Sequence, residues 1–136
     1  MRKFKVLAIV GAATSLMLTF GGTAFAANIT GTAGNDSLAG TPAADTINAL
    51  GGNDWVNGFG GDDTINGGPG DDLIQGDDGN DTITGGPGND RIQGGNGNDT
   101  IIVTGDGVDF VACGAGYDVV QAGPEDIVAP DCEKRI

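Results

Sequence analysis

The chain has 136 residues, of which 19 are acidic, six are basic and none is histidine, giving a formal net charge of −13. This acidity excludes nucleic acid and anionic membrane surfaces as partners and favours cations. The lack of histidine removes the commonest general base and the commonest zinc ligand. With 27 glycines and 5% aromatic residues, a conventional core is not expected, so regular stacking or bound ions must compensate.

Residues 1–26 are predicted to form a secretory signal peptide. Three basic residues lie within the first five, an apolar run follows from 6 to 20, and Ala24 and Ala26 fit a small-x-small cleavage signal. The alternative is a membrane anchor, but about 15 apolar residues fall short of the roughly 20 that span a bilayer. Cleavage after Ala26 removes three basic and no acidic residues, which leaves a mature chain of 110 residues with a net charge of −16.

From residue 31 onward the chain repeats every nine residues. Aspartate recurs at every ninth position, at Asp36, Asp45, Asp54, Asp63, Asp72, Asp81, Asp90 and Asp99. Two residues later comes an aliphatic side chain, at Leu38, Ile47, Val56, Ile65, Ile74, Ile83, Ile92 and Ile101. Two residues before each aspartate stands glycine, except at Ala43. The unit is G-G-x-G-x-D-x-U-x, where U is aliphatic, and its positions are numbered 1 to 9 below with aspartate at position 6.

This unit predicts an all-β solenoid. Positions 7 to 9 alternate polar, apolar and polar, which is typical of a very short strand with one inward side chain. Positions 1 to 6 carry turn residues, and Pro42, Pro69 and Pro87 all fall at position 3, outside the strand. Two units then make one coil of 18 residues with a strand on each side and a thin aliphatic core between them.

The aspartates of such a solenoid stack in two columns, one containing Asp36, Asp54, Asp72 and Asp90 and the other Asp45, Asp63, Asp81 and Asp99. Carboxylates about 4.8 Å apart repel unless a cation lies between them. The turns offer only carboxylate and carbonyl oxygens, a set that suits Ca²⁺. The alternative is that aspartate merely makes Asx-turns. Position 5 varies among Asn, Asp and Ala, however, whereas position 6 is aspartate in all eight units.

Units such as "GGPGDDLIQ", "GGPGNDRIQ" and "GGNGNDTII" closely resemble the calcium-binding nonapeptide of the repeats-in-toxin (RTX) proteins over residues 31–103. The resemblance implies a right-handed parallel β-roll that holds calcium between turns 18 residues apart. The aspartate side chains and the carbonyls of positions 2 and 4 would be the ligands. Those carbonyls belong to Phe59, Gly61, Gly68, Gly70, Asp77, Gly79, Gly86, Gly88, Gly95 and Gly97. Up to about six ions are expected, with the four sites among Asp54 to Asp99 the strongest.

The resemblance does not extend to toxin activity. Many RTX repeats follow a catalytic domain, and this chain has no room for one. No enzyme activity is expected, because histidine is missing and the aspartates are committed to calcium.

The nine-residue register breaks after Val103, since the next aspartate of the column, Asp109, comes one residue late. Residues 27–103 are therefore assigned to the β-roll and residues 104–136 to a degenerate cap, the alternative being a loose tail. Cys113 and Cys132 are predicted to form a disulfide in this exported chain. Calcium ligation by Asp106, Asp109 or Asp118 is left open.

The outward faces offer an alternative function as an adhesion or ligand-binding module. Thr46, Thr64, Thr82 and Thr100 stack 18 apart and resemble ice-binding arrays, although threonine is also a good strand residue. Trp55 and Leu73 are neighbours on the opposite face and would suit a glycan or a protein partner, although scattered exposed apolar residues are ordinary.

Overall fold

The structure, a computed structural model, describes residues 25–136. Residues 1–24, and with them most of the predicted signal peptide, lie outside the described residues. The described part of the chain contains 13 β-strands and no helix, so it contains no helix that could span a membrane. The strands are β1 (Asn28–Thr30), β2 (Ser37–Ala39), β3 (Thr46–Asn48), β4 (Trp55–Asn57), β5 (Thr64–Asn66), β6 (Leu73–Asp78), β7 (Thr82–Thr84), β8 (Arg91–Asn96), β9 (Thr100–Val103), β10 (Phe110–Ala115), β11 (Val119–Ala122), β12 (Ile127–Val128) and β13 (Lys134–Arg135).

Successive strands alternate between two parallel sheets. The odd-numbered strands form a seven-stranded sheet in the order β1-β3-β5-β7-β9-β11-β13, and the even-numbered strands form a six-stranded sheet in the order β12-β10-β8-β6-β4-β2. Partners from β1 to β9 are 18 residues apart, as in the pairing of Ile47 with Ile65. The chain is thus a β-solenoid of about six turns. The predicted all-β roll with two nonapeptides per coil is confirmed.

The core is a narrow row of aliphatic side chains between the two sheets. Each three-residue strand turns its middle side chain inward, so one unit contributes one large aliphatic residue. From Ile47 to Ile101 these residues are at most 2% exposed. Because the row is only one side chain wide per strand, the molecule buries little apolar area for its length, and the turns must contribute to stability.

The coils continue beyond Val103. Strand β10 pairs with β8 and β11 pairs with β9, but with partners now 19 residues apart, as in Arg91 with Phe110 and Thr100 with Val119. The extra residue is taken up in the loop between β9 and β10, where it disturbs no strand pairing. Residues 104–121, part of the predicted cap, therefore form two more units of the solenoid.

The short strands β12 and β13 close the C-terminal end by pairing with β10 and β11. The disulfide predicted between Cys113 and Cys132 is present, with a Cα–Cα distance of 5.1 Å. It joins the last full coil to the closing segment, and Cys113 is completely buried in the core.

Candidate metal centre

The turns of the solenoid adopt a backbone that favours glycine. Positions 2 and 4 have positive φ through the central units, as at Gly68 (97°) and Gly70 (139°). Three units keep this conformation with other residues at position 2, namely Leu50 (79°), Phe59 (74°) and Asp77 (72°). Positive φ costs a side-chain-bearing residue roughly 1–3 kcal/mol and tends to occur at functional sites. From Leu50 onward the turn shape is therefore kept even where position 2 is not glycine.

The aspartates of position 6 link neighbouring coils in two continuous ladders. One carboxylate oxygen, Oδ1, accepts the backbone N–H of the aspartate 18 residues earlier. Asp54 accepts from Asp36 at 2.8 Å, Asp72 accepts from Asp54 at 2.8 Å, and Asp90 accepts from Asp72 at 2.9 Å. The second ladder has the same geometry, with distances of 2.7 to 2.9 Å, and joins Asp45, Asp63, Asp81 and Asp99. The structure thus brings together the carboxylates that the sequence placed in columns.

The second carboxylate oxygen, Oδ2, has no hydrogen-bond partner in the central coils. It is buried and unpaired in six of the predicted ligands, Asp54, Asp63, Asp72, Asp81, Asp90 and Asp99. These residues are at most 3% exposed. A buried charged oxygen without a partner is costly, and such groups are normally paired or bound to a metal. Six buried oxygens arranged in this way indicate a missing positive charge.

This unpaired oxygen and a backbone carbonyl of the next coil both lie against the position-1 glycine. A Cβ added to Gly67, at position 1, would collide with Asp72 Oδ2 and would lie 2.6 Å from the carbonyl oxygen of Gly85, the position-1 residue one coil later. The equivalent oxygens of the next unit surround Gly76, where an added Cβ would meet Asp81 Oδ2 and the Gly94 carbonyl. The position-1 carbonyls were missed by the sequence reasoning, because the family motif pointed to positions 2 and 4.

The carbonyls of positions 2 and 4 lie against glycines of the next coil. A Cβ on Gly88 would collide with the Gly70 carbonyl, and one on Gly86 would collide with the Gly68 carbonyl. The same relation holds for the predicted carbonyls of Gly61, Asp77, Gly79, Gly86, Gly88, Gly95 and Gly97. Phe59 differs, since its carbonyl accepts the N–H of Asp78 at 2.8 Å. Glycine is thus needed so that the carbonyls of adjacent coils can stack closely.

Within residues 25–136, no three His, Cys, Asp or Glu side chains lie close enough together to hold a metal ion. A cation in these turns would therefore take most of its ligands from backbone carbonyls. The available donors, carboxylate and carbonyl oxygens, match the preference of Ca²⁺ for oxygen ligands in flexible geometry. The orphaned Oδ2 atoms fit such an ion.

The buried aspartates resist ionisation in the absence of a cation. Burial, with smaller contributions from neighbouring carboxylates, raises the pKa of Asp63 and of Asp90 to about 7. Burial likewise raises the pKa of Asp72 and of Asp99 to about 6. The pKa values of Asp54 and Asp81 are also raised, mainly by burial. The columns therefore bind protons more readily than free aspartate does, and a bound cation would favour their ionised form.

The first two turns differ from the later ones. The backbone N–H of Thr32 donates to Asp36 Oδ2, and that of Thr41 donates to Asp45 Oδ2. In later turns the position-2 N–H points elsewhere, as at Gly68, which donates to the Gly85 carbonyl at 2.9 Å. Asp36 and Asp45 therefore join the ladders without an orphaned Oδ2.

The carboxylate ladders continue past the register break. Asp90 donates its N–H to Asp109 Oδ1 and Asp99 donates to Asp118 Oδ1, both at 2.8 Å. The ladders end on Asp126 Oδ1, 3.0 Å from the N of Asp109, and on a carboxylate oxygen of Glu133, 2.8 Å from the N of Asp118. Asp118 Oδ2 is buried and unpaired like those of the central coils. The "CGAGYDVVQ" unit was the signal for Asp118, whereas nothing in the repeat pattern pointed to Asp126 or Glu133.

The outward faces carry the two predicted surface arrays. Thr46, Thr64, Thr82 and Thr100 are exposed and pair in register along one sheet. On the other sheet, Trp55 pairs with Leu73, and they are 51% and 44% exposed. This column continues through Arg91, whose guanidinium lies 5.7 Å from the ring centre of Phe110. Both arrays are joined to the ladder residues through the backbone, since Thr64 donates its N–H to the Asp45 carbonyl at 2.9 Å and Leu73 to the Asp54 carbonyl at 2.8 Å.

Comparison with known proteins reaches the same region of the chain. A family model described as the RTX calcium-binding nonapeptide repeat, in four copies, matches residues 21–41, 39–74 and 66–101. These matches span more than half of the chain and include the eight repeat aspartates. A search of curated proteins found no match, and neither did a search of solved structures.

Proposed function

Because the chain belongs to the family of RTX calcium-binding nonapeptide repeats, we propose that it is an exported protein whose roll folds when calcium binds between its turns. The carrying observation is the row of buried, unpaired Oδ2 atoms from Asp54 to Asp99. Each of these oxygens would bind an ion together with turn carbonyls. Calcium would supply the positive charge that the described turns lack.

The number of sites follows from the orphaned oxygens. Six of the predicted aspartate ligands have an unpaired Oδ2, and Asp118 adds a seventh candidate. Asp36 and Asp45 would contribute less, since local N–H groups already occupy their Oδ2 atoms. Six ions would bring a charge of +12 against the −16 of the predicted mature chain.

Export fits this mechanism. RTX repeats are typical of secreted proteins, and extracellular calcium modules have dissociation constants of roughly 0.1–1 mM. At low calcium the paired carboxylates repel, and the narrow core cannot offset the chain entropy lost on folding. The protein would then stay unfolded inside the cell and fold outside. We propose no enzyme activity, because the buried carboxylates would serve as calcium ligands.

Calcium titration of the exported protein tests this proposal. Isothermal calorimetry should give several equivalents of calcium, and circular dichroism should show β-structure that rises with calcium and disappears in excess chelator. Magnesium at the same concentration should have a much smaller effect, because it binds fewer oxygens in stricter geometry. A β-signal of equal strength in chelator and in calcium would contradict calcium-coupled folding.

A second candidate function is binding through the outward faces, and the in-register threonines and the Trp55–Leu73 pair favour it. A glycan array tests the tryptophan face, and an ice-recrystallisation assay tests the threonine face. Trp55→Ala should abolish specific glycan binding, and Thr82→Ala should abolish ice-recrystallisation inhibition. Both variants should leave calcium-coupled folding unchanged.

A further inference from the structure

The first residue predicted for the mature chain occupies a special place in the repeat. Ala27 lies nine residues before Asp36 and so takes position 6 of a unit that begins before the predicted cleavage site. Ile29 continues the aliphatic row, and β1 pairs in register with β3. The family match accordingly begins at residue 21. Cleavage after Ala26 therefore cuts a repeat unit between its positions 5 and 6.

The backbone nitrogen of Ala27 is hydrogen-bonded to the end of a carboxylate ladder. It donates to Asp45 Oδ1 at 2.6 Å, in the same role that an aspartate N–H has in the later coils. Both residues are buried, with Ala27 8% and Asp45 3% exposed. A new chain terminus at this position would thus be placed directly against a buried carboxylate.

Asp45 has an unusually complete set of donors. Besides Ala27, Thr41 donates its hydroxyl to Oδ1 at 3.0 Å and its backbone N–H to Oδ2. These donors are neutral, and the basic residues of the described chain lie elsewhere, Arg91 in β8 and the other two in β13. Asp45 is therefore hydrogen-bonded like a bound carboxylate, and no basic side chain of residues 25–136 supplies it with a counter-charge.

We propose that removal of residues 1–26 makes the α-ammonium of Ala27 the resident cation of Asp45, bound at Oδ1 in the place that an aspartate N–H has in later coils. The proposal rests on the export and cleavage proposed above. Cleavage replaces a neutral amide donor by an ammonium group 2.6 Å from Asp45 Oδ1, which adds the attraction between two opposite charges to the existing hydrogen bond. Processing would then complete the N-terminal end of the roll, where the preceding turn has been removed.

Selective acetylation of the terminus tests this inference, because the predicted mature chain contains one lysine, Lys134. The full-length K134R variant is exported, the product is purified, and its mass should show Ala27 as the first residue. Acetylation of this product then modifies only the α-amine. In saturating calcium, we expect acetylation to lower the folding equilibrium constant about tenfold, as measured by thermal and denaturant unfolding.

A comparison with Asp45→Asn separates the ion pair from a general effect of acetylation. In this variant acetylation should change the folding constant less than about twofold, whereas Asp62→Asn, an exposed carboxylate of the next turn on the same edge, should keep the full tenfold effect. Equal effects of acetylation with and without the Asp45→Asn substitution would overturn the inference. If Asp45→Asn does not fold, the test is the comparison of the free and the acetylated protein that retains Asp45. Equal stability of these two forms would overturn the inference.

Failure of this inference is distinguishable from failure of calcium-coupled folding. Calcium-dependent folding of every version, with no effect of acetylation, would overturn the role of the ammonium and leave the proposed function intact. An effect of acetylation in a protein that folds equally well in chelator would support the ion pair and contradict calcium-coupled folding. A mature chain that begins at another residue would also overturn the inference.

Discussion

Replacing Asp72 by asparagine should remove one calcium site and leave the fold in place. Asparagine keeps an oxygen that accepts the Asp54 N–H, the bond that now measures 2.8 Å, but it loses the charge on the buried Oδ2. Asp71→Asn is the matched control. Asp71 is the adjacent residue, is exposed, and occupies position 5, where asparagine stands in five of the eight units.

The expected magnitude follows from linkage. At about 10 mM calcium and a dissociation constant of roughly 0.1–1 mM, one site stabilises the fold by about 1.4 to 2.7 kcal/mol. Six sites would contribute about 8 to 16 kcal/mol, which is comparable to the whole stability of an ordinary domain. Asp72→Asn should therefore lower the melting temperature in calcium by roughly 5 to 15 °C. Asp71→Asn should change stability by less than about 0.5 kcal/mol.

The metal-free protein provides a test of opposite sign. In chelator, Asp72→Asn removes a buried charge without a partner, so it should leave the residual β-structure unchanged or increase it. Thermal unfolding by circular dichroism in calcium and in chelator, with calorimetry to count the ions, measures both effects. If Asp72→Asn and Asp71→Asn weaken calcium binding equally, the column acts only through its total charge and the assignment of Oδ2 as a ligand is refuted.

Other parts of the structure give three further expectations. Burial raises the folded-state pKa of Asp63 from 3.8 to about 7. Protonation of this residue therefore stabilises the metal-free roll fully below pH about 4, and this stabilisation is lost as the pH rises through about 7. Circular dichroism in chelator should show more β-structure at pH 4 to 5 than at pH 8, and a flat profile would contradict this. Gly70→Ala forces a Cβ into the carbonyl of the preceding coil at a position with positive φ, so it should lower the free energy of unfolding in calcium by more than about 1 kcal/mol. In the control Gly51→Ala, the added Cβ meets its nearest atom only at 3.7 Å, and denaturant unfolding should show almost no change. Reducing the Cys113–Cys132 disulfide, which spans 19 residues, should lower stability by about 3 kcal/mol. An unchanged melting temperature in reductant would contradict a stabilising role for this cross-link.

The solenoid could be predicted because the same residue type recurs at each key position of the nine-residue repeat. A strand with one inward aliphatic residue and a turn that requires positive φ leave few ways to stack, and the spacing of 18 fixes the pairing of residues such as Ile47 and Ile65. The aspartate columns follow from the same spacing. The unpaired Oδ2 atoms do not, because they depend on where the position-2 N–H points.

Two features escaped the sequence pattern for physical reasons. The coils beyond Val103 were assigned to a cap because an extra residue shifts Asp109 out of the column, yet a turn absorbs one residue while the strands keep their pairing. The strongest sites were expected among Asp54 to Asp99, but the reason for the difference between early and late turns was missed. Threonine at position 2 satisfies Asp36 and Asp45 locally, and that distinction becomes visible only once the backbone of each turn is known.

The alternation of strands between two sheets has a consequence for how this molecule can diversify. Position-7 side chains of odd-numbered and even-numbered strands face opposite sides of the solenoid. One side therefore displays threonines, and the other displays the column that contains Trp55 and Leu73. The ladders use position 6 and the core uses position 8, so the position-7 side chain belongs to neither. Each side is therefore a row of side chains about 4.8 Å apart whose identities can change one at a time, independently of the other side and of the ions that hold the coils together.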